Sequence, residues 1–204
     1  MRQIELTLDF ARSILSIARQ AGEVIMQHYC DLAAGMTSAS ALTHSVKSDQ
    51  SPLTLADLQA NAVIVTELSR LTLGIPIVSE EAPIPSDHPM QDGDFWLVDP
   101  LDGTKEFISK SDEFTVNIAL VRNGQAVLGV VVAPALGCAY WAISGIGAYK
   151  EVEGEQALRI QVSGTNDKTR PCRVVASKSH MNQDTAEFIA TLGETELLLS
   201  LIHI

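Results

Sequence analysis

The amino-acid sequence predicts an α+β fold. Two segments with helical apolar spacing come first, a series of short β-branched segments follows, and the two patterns are segregated rather than alternating as βαβ repeats would. In the first segment Phe10, Ile14, Ile17, Ala21, Val24 and His28 recur at steps of three and four, which predicts an amphipathic helix over 6–29 that Gly22 weakens slightly. Residues 35–51, rich in Ser, Thr and small side chains, predict a loop or a short hairpin around Val46, Lys47, Ser48 and Asp49. A second helix starts after Thr54, whose hydroxyl can cap it, while Asp57 three positions on completes a capping-box pair. Leu55, Leu58, Ala62, Val65 and Leu68 form its expected buried stripe, and Gly74 ends it.

A short apolar strand over 75–79 then stops at Glu80 and Glu81, and a polar, Pro-rich loop occupies 82–94. Strands are expected over 95–99, 114–121 and 126–133, the last two joined through Asn123-Gly124, a pair that favours tight hairpins. Further strands are expected over 138–144, 148–151, 158–162 and 172–176, and a helix over 178–192. The apolar end, 197–204, fits no expected element.

The composition narrows the class of function. The chain has 204 residues, 46% hydrophobic and 19% charged, enough apolar material for a packed sheet. Lys and Arg total 14 against 25 Asp and Glu, a net charge of −11 that repels nucleic-acid backbones. Cys30, Cys138 and Cys172 are widely spaced and odd in number, which fits a reducing cytoplasm better than a disulfide framework or a zinc site. No leader peptide and no spanning apolar run is expected. The expected setting is therefore the cytoplasm, with a peripheral place at the cytoplasmic face of the inner membrane kept as an option. Nothing in the composition fixes an oligomeric state.

The segment Trp96-Leu97-Val98-Asp99-Pro100-Leu101-Asp102-Gly103-Thr104-Lys105-Glu106-Phe107 concentrates chemistry. Pro100 is expected to end the strand and Gly103 to let the backbone approach a ligand, so Asp99 and Asp102 come together with the Leu101 carbonyl between them. Two carboxylates ~4 Å apart repel by about 4 kcal/mol near a protein surface, a cost that a bound cation relieves. Oxygen ligands favour Mg²⁺ or Mn²⁺ over zinc. By itself Asp-Pro-Leu-Asp-Gly can be no more than a turn, since each residue favours turns locally. Yet Asp57, Glu80 and Glu81 also sit at ends of expected elements, and the chain after Asp102 can begin a short helix whose N–H groups bind phosphate. Carboxylates for a cation beside a helix start for an anion are what metal-assisted phosphate ester hydrolysis requires.

With Ser79-Glu80-Glu81 and the run from Trp96 to Thr104, the chain resembles the inositol monophosphatase superfamily. The segments Lys47-Ser48-Asp49-Gln50-Ser51-Pro52-Leu53-Thr54-Leu55-Ala56-Asp57, Gly103-Thr104-Lys105-Glu106-Phe107 and Glu113-Phe114-Thr115-Val116-Asn117-Ile118-Ala119-Leu120 resemble its CysQ-type 3′(2′),5′-bisphosphate nucleotidase branch. The resemblance covers 7–192. It implies a layered αβαβα sugar-phosphatase-like fold, Mg²⁺ as cofactor, and a small phosphorylated nucleotide as partner. For the full-length parent the implied reaction converts adenosine 3′,5′-bisphosphate to AMP and phosphate, in sulfur assimilation, and whether the 204 residues alone carry it out is left open. It implies Glu80, Asp99, the Leu101 carbonyl and Asp102 as metal ligands, and Asp57 with Thr104 as the pair orienting the attacking water. Glu80, Asp102, Gly103, Thr104 and Lys105 would contact the substrate.

Simpler roles remain open. Asp57 can be only a helix cap, Glu81 and Lys105 only solvated, and Trp96, Trp141 and Phe107 core residues. Ser177-Lys178-Ser179-His180 resembles a Ser-Arg-Ser-His strand end of the branch, with Lys for Arg. The family's later Trp-Asp motif, source of another metal-binding carboxylate, has no counterpart, since no Trp-Asp pair occurs in the chain. A metal- and phosphate-binding subdomain over 1–150 is therefore expected, followed by an incomplete second subdomain over 151–204, with 194–204 foreign to the family. Inositol monophosphatase activity and an inactive nucleotide- or metal-binding remnant are the alternatives.

Overall fold

The computed structural model describes residues 4–46, 52–82, 93–162, 171–177 and 181–200. Helix α1 (Leu8–Ala33) begins at Thr7, whose hydroxyl accepts from the Phe10 amide. It runs past the expected end at residue 29 because no breaker intervenes before Gly35, which takes a left-handed φ of 71°. The expected loop contains a one-turn helix α2 (Ala39–Leu42) and an antiparallel hairpin of β1 (Thr43–Val46) with β2 (Pro52–Thr54). A four-residue helix is too short to show an apolar period, so only the hairpin was legible.

Helix α3 (Leu55–Leu71) carries the expected capping box between Thr54 and Asp57. Its buried stripe differs from the expected one. Ala56, Asp57, Ala60, Ile64 and Leu68 are buried, while Leu55 is exposed. Small alanines admit close packing, and Asp57 can turn inward because it finds polar partners there.

The main sheet orders its strands β3 (Ile77–Ser79), β4 (Asp94–Asp102), β5 (Thr115–Arg122), β6 (Gln125–Ala133), β7 (Cys138–Ile143), β8 (Gly147–Val152) and β9 (Leu158–Ile160). The first pair is parallel and every later pair antiparallel. Asn123 and Gly124 turn between β5 and β6 with φ of 51° and 74°, the double positive φ of a type I′ turn. Helices α1 and α3 lie on one face of the sheet, where Ile14, Ile25 and Ile64 meet Trp96, Val98, Ile118, Leu120, Leu128, Val130 and Trp141. The Trp96 indole N–H, buried in that core, donates to Thr72 Oγ1 at 2.9 Å.

Gly22 does more than weaken its helix. A Cβ there would stand 3.1 Å from Pro134 Cβ, in the 3₁₀ turn Pro134–Leu136, so the glycine sets how closely α1 approaches that turn.

Strand β4 does not stop at Pro100. It continues to Asp102 with a register shift between Asp99 and Asp102, so the proline sits within a bulge, where a missing ladder donor is tolerated. Helix α4 (Thr104–Ile108) follows directly.

The chain divides into two compact units, Met1–Ile160 and Gln161–Ile204. In the second, β10 (Cys172–Ala176) and β11 (Thr195–Leu199) are parallel, with α5 (Gln183–Ala190) between them in sequence. This β-α-β unit departs from the strictly segregated pattern. The Thr195–Leu199 strand had no sequence signal, because its hydrogen-bonding partner lies on the far side of a helix.

Candidate active site

The start of α3, the ends of β3 and β4 and the start of α4 carry the site. Asp57 is fully buried in the first turn of α3. Its Oδ2 accepts from the Thr54 amide at 2.9 Å and from the Thr54 hydroxyl, while the Asp57 amide donates back to Thr54 Oγ1 at 3.5 Å. Its other oxygen, Oδ1, is 3.3 Å from Thr104 Oγ1, which also stands 3.2 Å from the Leu101 carbonyl oxygen. The Thr104 hydroxyl has one proton for these two acceptors and lone pairs left to accept from a third group. Asp57 is thus a cap and also reaches across 47 residues of sequence to the carboxylate turn.

Residues three apart in a regular strand face opposite sides. The bulge changes that for Asp99 and Asp102: Asp99 pairs with Asn117 and Asp102 with Thr115, two positions on the same side of β5. Leu101 meanwhile sends its side chain into the core and its carbonyl toward Thr104. Burial pushes the Asp102 carboxyl above the usual carboxylate range. A hydrogen bond from Asn117 opposes that rise, and the charges of Glu80 and Glu106 add to it.

Glu80 follows β3, with its amide donating to the Val98 carbonyl at 3.0 Å, which sets it beside Asp99 on the neighbouring strand. Its side chain is exposed. Ser79 anchors this strand end by donating to Asn61 Oδ1 of α3 at 2.6 Å and accepting from the half-buried Glu81 at 3.3 Å. On the side of the sheet away from α1 and α3, Glu80, Asp99 and Asn117 line a groove of about 490 Å³ with Leu97, Ala119 and Val131.

Gly103 takes a φ of 93° and precedes α4, so the amides of Thr104 and Lys105 have no partners within the helix. Helix α4 has five residues, and its dipole is correspondingly small, so anion binding here would rest on those N–H groups more than on the dipole. Phe107 fixes α4 from below. Its ring lies 5.7 Å from that of Tyr29 and 5.6 Å from that of Phe114, centroid to centroid, and Tyr29 Oη donates to Asp112 Oδ1 at 2.8 Å. Lys105 is exposed. Trp96, Trp141 and Phe107 are core residues, as expected. Residues 47–51 and Lys178, Ser179 and His180 lie outside the described residues.

Among the described residues, no three acidic, histidine or cysteine side chains close a metal cage by themselves. The donors that are present nonetheless suit a hard cation. Mg²⁺ keeps several waters and takes one or two carboxylates with substrate oxygens, and the half-buried Asp102 faces like charge that a cation would neutralise. A further polar group, unremarked in the sequence, stands between the two aspartates. Asn117 Nδ2 donates to Asp102 Oδ2 at 3.3 Å, and its Oδ1 is buried with no hydrogen-bond partner. Its signal in the sequence was an amide inside a strand of Val and Ile, where asparagine is disfavoured.

Comparisons with known proteins show which family the chain is similar to. The model of the inositol monophosphatase family matches residues 9–196. The 3′(2′),5′-bisphosphate nucleotidase CysQ of Salmonella typhimurium is 44% identical over 181 residues, 89% of this chain and 68% of that protein. The enzyme of the same name from Escherichia coli K12 is 43% identical over the same shares of each chain. The crystal structure of CysQ from Bacteroides thetaiotaomicron superposes with a TM-score of 0.75 at 35% identity, over 94% of this chain and 72% of that one. The match of the family model extends past residue 193, where the sequence resemblance was expected to fade, and takes in the start of β11. By family model, sequence identity and fold together, the chain belongs to the inositol monophosphatase family.

Proposed function

We propose that the chain is a Mg²⁺-dependent phosphomonoesterase of the bisphosphate nucleotidase type, which converts adenosine 3′,5′-bisphosphate to AMP and phosphate. The family's members are metal-dependent phosphatases, and the similar proteins from Salmonella and Escherichia are named for the bisphosphate nucleotidase reaction. The observation that carries the proposal is the chain of contacts from Asp57 through Thr104 to the Leu101 carbonyl, set directly against the bulge that turns Asp99 and Asp102 to one side.

Glu80, Asp99, Asp102 and the Leu101 carbonyl would hold the cation. Bound there, it would polarise the phosphoryl oxygens and make water a better nucleophile. Thr104, with its proton directed to Asp57, offers a lone pair to the attacking water, and Asp57 is the carboxylate toward which the water's proton moves. The water oxygen forms the new bond to phosphorus as the bond to the 3′ oxygen breaks, and that oxygen takes a proton from solvent to leave as the AMP hydroxyl. Gly103 and the amides at the start of α4 hold the phosphate, with the exposed Lys105 free to reach it. The small nucleotide is the partner; no helix among the described residues is long and apolar enough to cross a membrane.

The test is phosphate release by the 204-residue protein from adenosine 3′,5′-bisphosphate and from inositol 1-phosphate, with Mg²⁺ and with EDTA. Faster release from the nucleotide, abolished by EDTA and reduced about a thousandfold or more in Asp99→Asn, is expected. Faster release from the inositol ester would favour the other activity of the family. Release that survives EDTA would refute the metal-dependent mechanism.

A further inference from the structure

Asn117 is misplaced by every local rule of its strand. Its neighbours Val116 and Ile118 are buried β-branched residues, and an amide at this position gains nothing from strand propensity. It stands directly across from Asp99 in the β4–β5 ladder, which brings the two side chains within roughly 5 Å on the same face. Its Nδ2 donates to Asp102 Oδ2 at 3.3 Å. That contact also fixes the amide's orientation, because the flipped arrangement would place its oxygen against a carboxylate oxygen with no proton between them.

The orientation leaves Asn117 Oδ1 buried and without a hydrogen bond. Leaving a buried acceptor unsatisfied is costly, so its retention beside two aspartates calls for a group that completes it. The groove next to it is lined by Glu80 and Asp99, which are acceptors when ionised and cannot supply a proton. A cation, or a proton of its hydration water, can.

We propose that Asn117 belongs to the cation site as a positioning residue, orienting the Asp102 carboxylate through Nδ2 and presenting Oδ1 as a neutral oxygen to the hydrated cation. This rests on the cation site described above, and its test separates the two. Its cost to the metal-free fold is offset when the ion binds. Residues that orient metal ligands commonly change affinity by about 10–100-fold when removed.

The experiment is calorimetric titration of the purified chain and two variants with Mg²⁺, paired with thermal unfolding in EDTA. Asn117→Leu, which keeps approximate volume and removes both polar atoms, is expected to weaken Mg²⁺ binding about 10–100-fold while unfolding in EDTA at or above the wild-type temperature. Asn117→Asp keeps an oxygen and loses the donor. It is expected to be less stable than wild type in EDTA, through repulsion by Asp99 and Asp102, and to regain that stability as Mg²⁺ is added. Wild-type affinity in Asn117→Leu would overturn the assignment of Asn117 and leave the cation site standing. A loss of affinity in Asn117→Leu matched by an equal loss of stability in EDTA would reduce Asn117 to a packing residue. Failure of the wild-type chain itself to bind Mg²⁺ would overturn both.

Discussion

Asp57 divides its two oxygens between two tasks: Oδ2 is held by the amide and hydroxyl of Thr54, and Oδ1 stands 3.3 Å from Thr104 Oγ1. A pure helix cap has no need of the second contact. Asp57→Asn keeps one carbonyl oxygen for the cap, so unfolding should shift by no more than about 1 kcal/mol. It removes the carboxylate that receives the water's proton, so kcat should fall about a hundredfold or more. Steady-state kinetics beside thermal unfolding decides, and unchanged kcat would return Asp57 to the role of a cap.

Thr104 is buried, and its hydroxyl bridges Asp57 and the Leu101 carbonyl. Thr104→Ser keeps that hydroxyl and should stay within about tenfold of wild-type kcat, whereas the isosteric Thr104→Val should lose about a hundredfold or more. KM should move little in either. An active Val variant would show that Asp57 works without Thr104.

Gly22 offers a prediction with opposing terms. Alanine would strengthen α1 by about 1 kcal/mol through helix propensity. Its Cβ would also press on Pro134 Cβ from 3.1 Å, against a ring that cannot rotate away, and overpacking of this kind costs about 1–3 kcal/mol. Gly22→Ala should therefore be destabilised, by about 1 kcal/mol, in a denaturant titration. A more stable variant would mean that the Pro134–Leu136 turn yields readily.

Tyr29 carries a pH dependence. Burial, and then the hydrogen bond and charge of Asp112, push its pKa from 10.0 up to about 12. The folded protein therefore keeps a phenolic proton that the unfolded chain releases near pH 10. Its contribution is complete below about pH 10 and declines as pH rises toward 12. Tyr29→Phe should be less stable by about 1 kcal/mol near neutral pH, through loss of the hydrogen bond to Asp112, and should lack this part of the alkaline decline. Absorbance titration of the tyrosinate band, compared between the two proteins, checks it. A difference between the two absorbance titrations that develops near pH 10 instead of near 12 would show that Tyr29 titrates as if exposed.

Local patterns were legible wherever the physics is local. The Thr54 and Asp57 capping box, the Asn123-Gly124 turn and the succession of strands follow from backbone preferences within a few residues. Pro100 misled, because a proline ends a ladder only where its missing N–H is needed, and a bulge removes that need. The stripe of α3 misled as well. Large apolar side chains suggested one face, while the sheet and α1 required the small one that holds Ala56, Asp57 and Ala60.

The sequence by itself determined the α+β class, the acidic turn and the oxygen chemistry it offers, since these depend on residue types and short spacings. Only the tertiary structure decided that Asp57 reaches Thr104, that a bulge rather than a strand-ending turn brings Asp99 and Asp102 to one side, and that Asn117 stands between them. Each rests on contacts between residues far apart in the chain, Asp57 with Thr104 and the β4 bulge with Thr115 and Asn117 of β5, which strand register and helix packing set and which no short stretch of sequence encodes.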